Sequence, residues 1–317
     1  MLYRRFGTTD LEVSVIGLGG HEFHPDGRVR GFGDDKTLAV TRGYVFEGFG
    51  QENRRAIVQR ALDLGINLFD LTIDSEKDAM GRLLRDLRPS QEIVIQTRPE
   101  GMCYTYDPMN RQMAQFDLLK AEVVRICKML GRDHVDILNF AFMKEALEED
   151  PEYLDKIGAN IARLKQEGLI RFASADTFSG EATSLAQYAS GHFDSTFINH
   201  NILREAANHA IIPAAAAHGM AVFAREAFMK GRLFRFAAEA GIDDRAFVAR
   251  CSIKWILSDP RVVSTMVGVA NAAQLESNCA VVDSLALTDE EERVLAAIQA
   301  TSGFQAALEQ RPKTTGN

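Results

Sequence analysis

Residues 61–70 read ALDLGINLFD: the end of a helix, a glycine stop, then an apolar strand. The helical pattern starts near residue 51, and Ile57, Val58, Ala61 and Leu62 fall at the three- and four-residue spacing of one helix face. Gly65 suits a helix C-terminus, where the backbone turns left-handed. The same device returns twice. A helix over 116–130, with Leu119, Val123, Cys127 and Leu130 on one face, stops at Gly131 before HVDILNF. A helix over 152–167, with Leu154, Ile157, Ile161 and Leu164, stops at Gly168 before LIRFA.

Further strand-like runs are VIGLG near the start, then EIVIQT, STFIN, MAVFA and VVSTMVG, which brings the number of strands to eight. Strands alternating with helices predict a parallel sheet, and eight such units predict an α/β fold, a (β/α)8 TIM barrel. LYRRFG and LEVSV flank Thr8-Thr9-Asp10 and read as a short N-terminal β-hairpin, with an extra C-terminal helix after the last unit. The expected organisation is one domain over 1–317. It carries a long Gly-rich insertion at 21–50 with Phe23, Phe32, Tyr44, Phe46 and Phe49, and a tail from about Arg311 that reads as disordered.

In such a barrel the chemistry sits at the C-terminal strand ends. Those ends bring together His21, Glu22, Asp70, Asp74, Arg98, Glu100, Asn139, Ala141, Asp176, Asn199, His200, Arg225 and Glu226. Taken singly, each is more often a solvated loop residue than a catalytic one.

A net charge of −8 and a pI near 5.5 argue against non-specific nucleic-acid binding and against anionic membrane. Hydrophobic residues at 46% and charged residues at 25% suit a globular protein with a full core. Cys103, Cys127, Cys251 and Cys279 are scattered without a C-x-x-C pair and read as reduced structural thiols. No apolar run reaches membrane length, so a cytoplasmic location is expected. His21, Glu22, His24 and Asp26 cluster after the first strand, but H-E-x-H is no zinc spacing and no metal is expected.

In order and spacing, YRRFGTTDLEVSVIGLGG, ALDLGINLFD, GRDHVDILNF, EGLIRFASADTFS, HGMAVFAREAFMKGRL and VGVANAAQLESN resemble the aldo-keto reductase family from residue 2 to about residue 300. The resemblance implies carbonyl reduction with a nicotinamide cofactor by an Asp, Tyr, Lys and His tetrad. Here the Asp is Asp70, in FDLTIDS, but the Tyr position holds Ser75, the Lys position Arg98 and the His position Ala141. Serine is a far weaker acid than a tuned phenol, arginine exchanges no proton at accessible pH, and alanine donates nothing. A positioned general acid contributes ~10²–10⁴ in rate, so the usual route is nearly abolished. Asp70 and Arg98 read either as an ion pair holding the barrel mouth or as an anion grip oriented by the carboxylate. Replacement acids are sought in Tyr104 and Tyr106, after strand three, and in His200, after strand six.

The resemblance also assigns cofactor contacts. Gly231, Gly268, Gln274 and Asn278 match the adenosine-phosphate half, while Ala270 stands where many members carry Lys or Arg, which leaves NADP or NAD open. Asp176 and Thr177 replace the Ser-Asn pair that holds the carboxamide, Phe197 replaces a Gln, and Arg225 stands near the position flanking the ring. Three readings follow. The first is an oxidoreductase acting on a small polar or anionic metabolite with a non-standard proton donor. The second is a non-redox lyase, dehydratase or isomerase using Asp70, Arg98 and His200. The third is a non-catalytic ligand-binding protein. The partner expected in each is a small molecule, and the sequence does not determine the oligomeric state.

Overall fold

A computed structural model describes residues 1–310 of the 317. The expected tail lies outside the described residues.

The chain opens with an antiparallel hairpin, β1 (Tyr3–Arg5) and β2 (Glu12–Ser14), in which Tyr3 pairs Ser14. The barrel strands follow: β3 (Ile16–Gly19), β4 (Leu68–Leu71), β5 (Val94–Thr97), β6 (Val135–Ala141), β7 (Ile170–Asp176), β8 (Ser195–Asn199), β9 (Ala221–Arg225) and β10 (Val262–Val267). All neighbours run parallel, and β10 pairs with β3 to close the barrel. The helices that matter below are α1 (Lys36–Ala39), α2 (Glu52–Asp63), α3 (Asp74–Leu87), α4 (Phe116–Leu130), α5 (Lys144–Glu149), α6 (Tyr153–Gln166), α7 (Glu181–Ala189), α8 (Ile211–Ala217), α9 (Arg232–Glu239), α10 (Arg245–Leu257), α11 (Ala272–Cys279), α12 (Asp289–Gln299) and α13 (Ser302–Glu309).

The three glycine stops share one hydrogen-bond pattern. Ile66 N–H bonds to Ala61 O, Arg132 N–H to Cys127 O and Leu169 N–H to Leu164 O, each across a glycine at φ between +66° and +81°. This C-cap satisfies the last helical carbonyls and turns the chain straight into the next strand. Packing then sorts the apolar residues into layers. Phe6, Leu11 and Val13 of the hairpin join Leu68, Val94, Ile137 and Phe223 inside the barrel, so the hairpin closes its lower end. Strand and helix faces form the main core around them. Two helices, α12 and α13, extend the C-terminus where one was expected, and Leu295, Ile298 and Phe304 pack with Leu233, Phe236 and Val248 in a separate cluster.

Strand register aligns the upper ends. Asp70 pairs Gln96, Ala141 pairs Asp176 and Asn199 pairs Arg225, so side chains far apart in sequence meet at one mouth. The 21–50 insertion crosses part of that mouth as an ordered strap containing α1 and a Phe23–Val29 bridge. Phe49 and Ala39 are buried with Ile73 and Ala79, and Phe32 and Phe46 pack against them.

Candidate active site

One wall of the mouth is the expected Asp70–Arg98 pair. Arg98 Nη2 donates to Asp70 Oδ1 at 3.1 Å and Nη1 to Thr72 Oγ1 at 2.9 Å, while Gln96 Nε2 also donates to Asp70 Oδ1 at 3.0 Å. Burial alone would lower the guanidinium pKa, but the carboxylates of Asp70 and Asp176 outweigh it and keep Arg98 charged. Its Nε is buried without a hydrogen-bond partner, a donor left unspent beside the mouth.

The opposite wall is built on Asp176, at the end of β7. Arg225 grips it by both terminal nitrogens, at 2.6 and 2.8 Å, and Arg225 Nε donates to Asn199 Oδ1 at 2.6 Å. Tyr104 O–H donates to Asp176 Oδ2 at 2.8 Å, and Asn139 Nδ2 does so at 3.3 Å. The Arg225 guanidinium lies over the rings of Phe197 and Phe178, at 4.7 and 4.6 Å from their centroids. Tyr104 reaches this position through a left-handed backbone, φ +51°, uncommon for a residue with a side chain. Its N–H bonds to the Ala141 carbonyl and its carbonyl accepts from Asn110 Nδ2. Burial, with Asp176 adding to it, pushes the phenol pKa above its ordinary value despite Arg98 and Arg225, so Tyr104 is a weaker acid here than in water.

The positions where the resemblance implies a tyrosine and a histidine, Ser75 and Ala141, are both buried. Ser75 is buried at the start of α3, and its Oγ accepts the N–H of Phe46 from the strap at 3.0 Å. A tyrosine there would collide with the strap. Next to it, Asp74 Oδ2 accepts Gly43 N–H at 2.7 Å, and Arg42 pairs Glu122 at 2.9 Å, so buried carboxylates fasten the strap. Ala141 is buried in the main core beneath Tyr104.

His200 does not join the site. It is buried and stacks on Trp255 at 5.0 Å, with Nδ1 against the Arg204 carbonyl, and burial lowers its pKa. As the residue just beyond β8, it follows Asn199 and turns its ring to the other side, toward α10. Tyr106 meets the ring of Tyr104 edge-on at 6.1 Å and is one ring further from Asp176.

The residues expected to hold a cofactor lie at or beyond the C-terminal ends of β7, β9 and β10 and on α11. Gly231, at φ +83°, caps α9, and among the described residues nothing lies within 4 Å of where a Cβ would stand, leaving its backbone open to a phosphate group. At Gly268 a Cβ would stand 3.2 Å from the Phe23 ring, so the strap closes over that glycine. Gln274 Oε1 accepts the Ala270 N–H at 2.8 Å, Asn278 is buried on α11, and Thr177 Oγ1 accepts the Ser179 N–H at 3.0 Å. Asp176 and Arg225 are bonded to each other, with the Asp176 side chain fully buried, and Phe178 leaves 41% of its surface exposed beside them. The open backbone at Gly231, at the N-terminus of α9, fits the phosphate part of a dinucleotide.

Sequence reading missed Glu76 and Lys77. Both are fully buried, Glu76 against His21 at 2.7 Å and Lys77 between Asp74 at 3.1 Å and Glu100 at 2.9 Å. The signal was a run of four polar residues, DSEK, opening a helix next to Asp70, where a solvated first turn was the ordinary reading. The four cysteines are buried and unpaired, and burial pushes Cys103 up to about 12, so they are inert thiols as expected. Among the described residues no group of three metal-ligating side chains assembles, and no helix is long and apolar enough to cross a membrane.

The chain is similar to L-glyceraldehyde 3-phosphate reductase of Escherichia coli, with 23% identity over 92% of this chain and 90% of that protein. Its fold matches an aldo-keto reductase of Bacillus halodurans in the holo form, with a TM-score of 0.68, 19% identity, and 94% of this chain and 96% of that one covered. The sequence model described as the Aldo/keto reductase family matches residues 37–245, two thirds of the chain. The eight-stranded closed barrel with its N-terminal hairpin is thus that of the aldo/keto reductase family, to which this chain belongs.

Proposed function

We propose that this chain is an oxidoreductase that uses NADP or NAD on a small polar or anionic carbonyl metabolite, with a proton donor other than the family's tyrosine. The observation that carries this reading is Arg98: a buried cation, oriented by Asp70 and Thr72, with one buried donor unspent. A carbonyl oxygen accepting from that Nε would be polarised where negative charge develops during reduction. Fixed donors in a water-poor site stabilise such charge more strongly than water does. Arg98 cannot lose its proton, so its role is electrostatic and the proton comes from elsewhere.

Arg225, held by Asp176 and Asn199, is a second guanidinium at the same mouth and suits a carboxylate or phosphate on the substrate. The sugar-phosphate named for the Escherichia coli relative is a small carbonyl compound of this class. A reduced nicotinamide dinucleotide held with its phosphates at Gly231 would supply the hydride. Tyr104, Phe178 and Phe197 make the flat walls that exclude water around the reacting carbonyl.

The test is a fluorescence titration with NADPH and NADH, followed by reduction of L-glyceraldehyde 3-phosphate by the wild type and R98M. Micromolar cofactor binding is expected, with R98M weakening ligand affinity and slowing reduction. No binding at millimolar cofactor overturns the redox reading. Arg225–Asp176 pairing at the carboxamide end favours a second reading in that event, a lyase, dehydratase or isomerase working through Asp70 and Arg98. That reading proceeds without His200, whose ring faces α10.

A further inference from the structure

His21 stands one residue beyond the Gly20 whose N–H bonds to the Asp70 carbonyl at 2.7 Å, so it flanks the Asp70–Arg98 wall directly. Its Nδ1 meets Glu76 Oε1 at 2.7 Å, and its side chain remains 37% exposed at the mouth while that of Glu76 is 1% exposed. Glu76 is itself fixed: Oε2 accepts the Thr72 N–H at 2.7 Å, and the buried Arg54 stands by it, held on the Gly19 carbonyl. Gly20 makes room for this carboxylate, since a Cβ there would lie 2.4 Å from Glu76 Oε2. A buried carboxylate on one imidazole nitrogen fixes the ring and leaves the other, Nε2, for a ligand.

We propose that His21, oriented by Glu76, is the proton donor that replaces the family's tyrosine in this barrel. The inference rests on the oxidoreductase reading above. In the reduction, hydride from the nicotinamide forms the new C–H bond and the carbonyl π pair moves to oxygen beside Arg98. The Nε2–H proton of the imidazolium then completes the alcohol. The cofactor is oxidised, the carbonyl is reduced, and neutral His21 takes a proton back from solvent through its exposed edge. Burial works against the imidazolium and Arg98 adds to that, but Glu76 and Asp70 outweigh both and raise the His21 pKa above its ordinary 6.5. The Phe32 ring packs edge-on at 5.7 Å and adds no charge. The carboxylates thus favour the imidazolium that an acid role needs, whereas Tyr104 is a weakened acid already bonded to Asp176.

The experiment combines three readouts on wild type, H21A and E76Q. Cofactor binding by fluorescence comes first: none to wild type overturns the oxidoreductase reading and this proposal with it. Single-turnover reduction of L-glyceraldehyde 3-phosphate should fall ~10²–10⁴-fold in H21A with cofactor affinity kept. A fall below threefold overturns the proposal while leaving the reductase reading intact. NMR titration of the His21 ring decides independently of activity. A midpoint above 6.5 in wild type that drops in E76Q is expected, with the basic limb of the kcat profile moving down alongside it. A midpoint at or below 6.5, or one that E76Q leaves unmoved, assigns Glu76 no positioning role and overturns the proposal.

Discussion

Asp176→Asn isolates the charge at the centre of the mouth while keeping its volume. The carboxylate receives three donors at Oδ2, from Arg225, Tyr104 and Asn139, and a fourth at Oδ1 from the other Arg225 nitrogen. An amide must turn its NH2 toward one side or the other, and either choice sets donor against donor. It also leaves Arg225, with a side chain 12% exposed, without its counter-ion. Removing one partner of a buried ion pair costs about 3–5 kcal/mol. For a chain of this size that corresponds to a fall in Tm of roughly 6–10 °C, at about 2 °C per kcal/mol. Equilibrium urea unfolding, followed by the fluorescence of Trp255 and by circular dichroism, measures the loss. Adding R225M to D176N removes the stranded cation and should restore most of it, giving a large favourable coupling in the double-mutant cycle. The reasoning is refuted if D176N costs less than about 1 kcal/mol, or if R225M deepens the loss in the D176N background instead of repairing it.

Ser75→Tyr restores the residue that the family resemblance implies, yet it should not restore activity. The buried Oγ contact to Phe46 N–H is lost and the strap is overpacked, costing about 1–3 kcal/mol, and limited proteolysis should cut within residues 21–50 faster than in wild type. Stability should also depend on pH at both ends of the His21–Glu76 pair. The folded pKa of Glu76 lies below its ordinary 4.5, because His21, Thr72 and Arg54 overcome the burial that would raise it. Its contribution is therefore complete above pH 4.5 and is lost as pH falls through the folded value. His21 has the opposite sign: its raised pKa contributes fully below pH 6.5 and is lost as pH rises through the folded value. Urea midpoints across this range should flatten at both ends in H21A and in E76Q, since each residue shifts the pKa of the other; unchanged profiles would rule out the linkage.

Local order sufficed for the barrel. The helix faces and the stops at Gly65, Gly131 and Gly168 depend on residues within one turn of one another, so period and glycine placement disclosed them without tertiary information. Asp70 and Arg98 were legible for a related reason: in a parallel barrel, the end of each strand is a known place, and β4 and β5 are neighbours. Strand-end position does not say where a ring points. His200 and Asn199 are adjacent in sequence, yet Asn199 faces Arg225 and His200 faces Trp255.

What only the tertiary structure decided is pairing over long separations. Tyr104 meets Asp176 across 72 positions, and His21 meets Glu76 across 55. Neither distance carries a periodic signature, because each pair is brought together by barrel closure and by the path of a loop. Burial is the other such quantity. Glu76 and Lys77 look like an ordinary charged first turn until the strap covers them, and their charges then persist because partners from other elements replace the lost water. The sequence by itself determined the frame; which groups stand ready at the mouth was set by closure, which alone fixes distance and desolvation together.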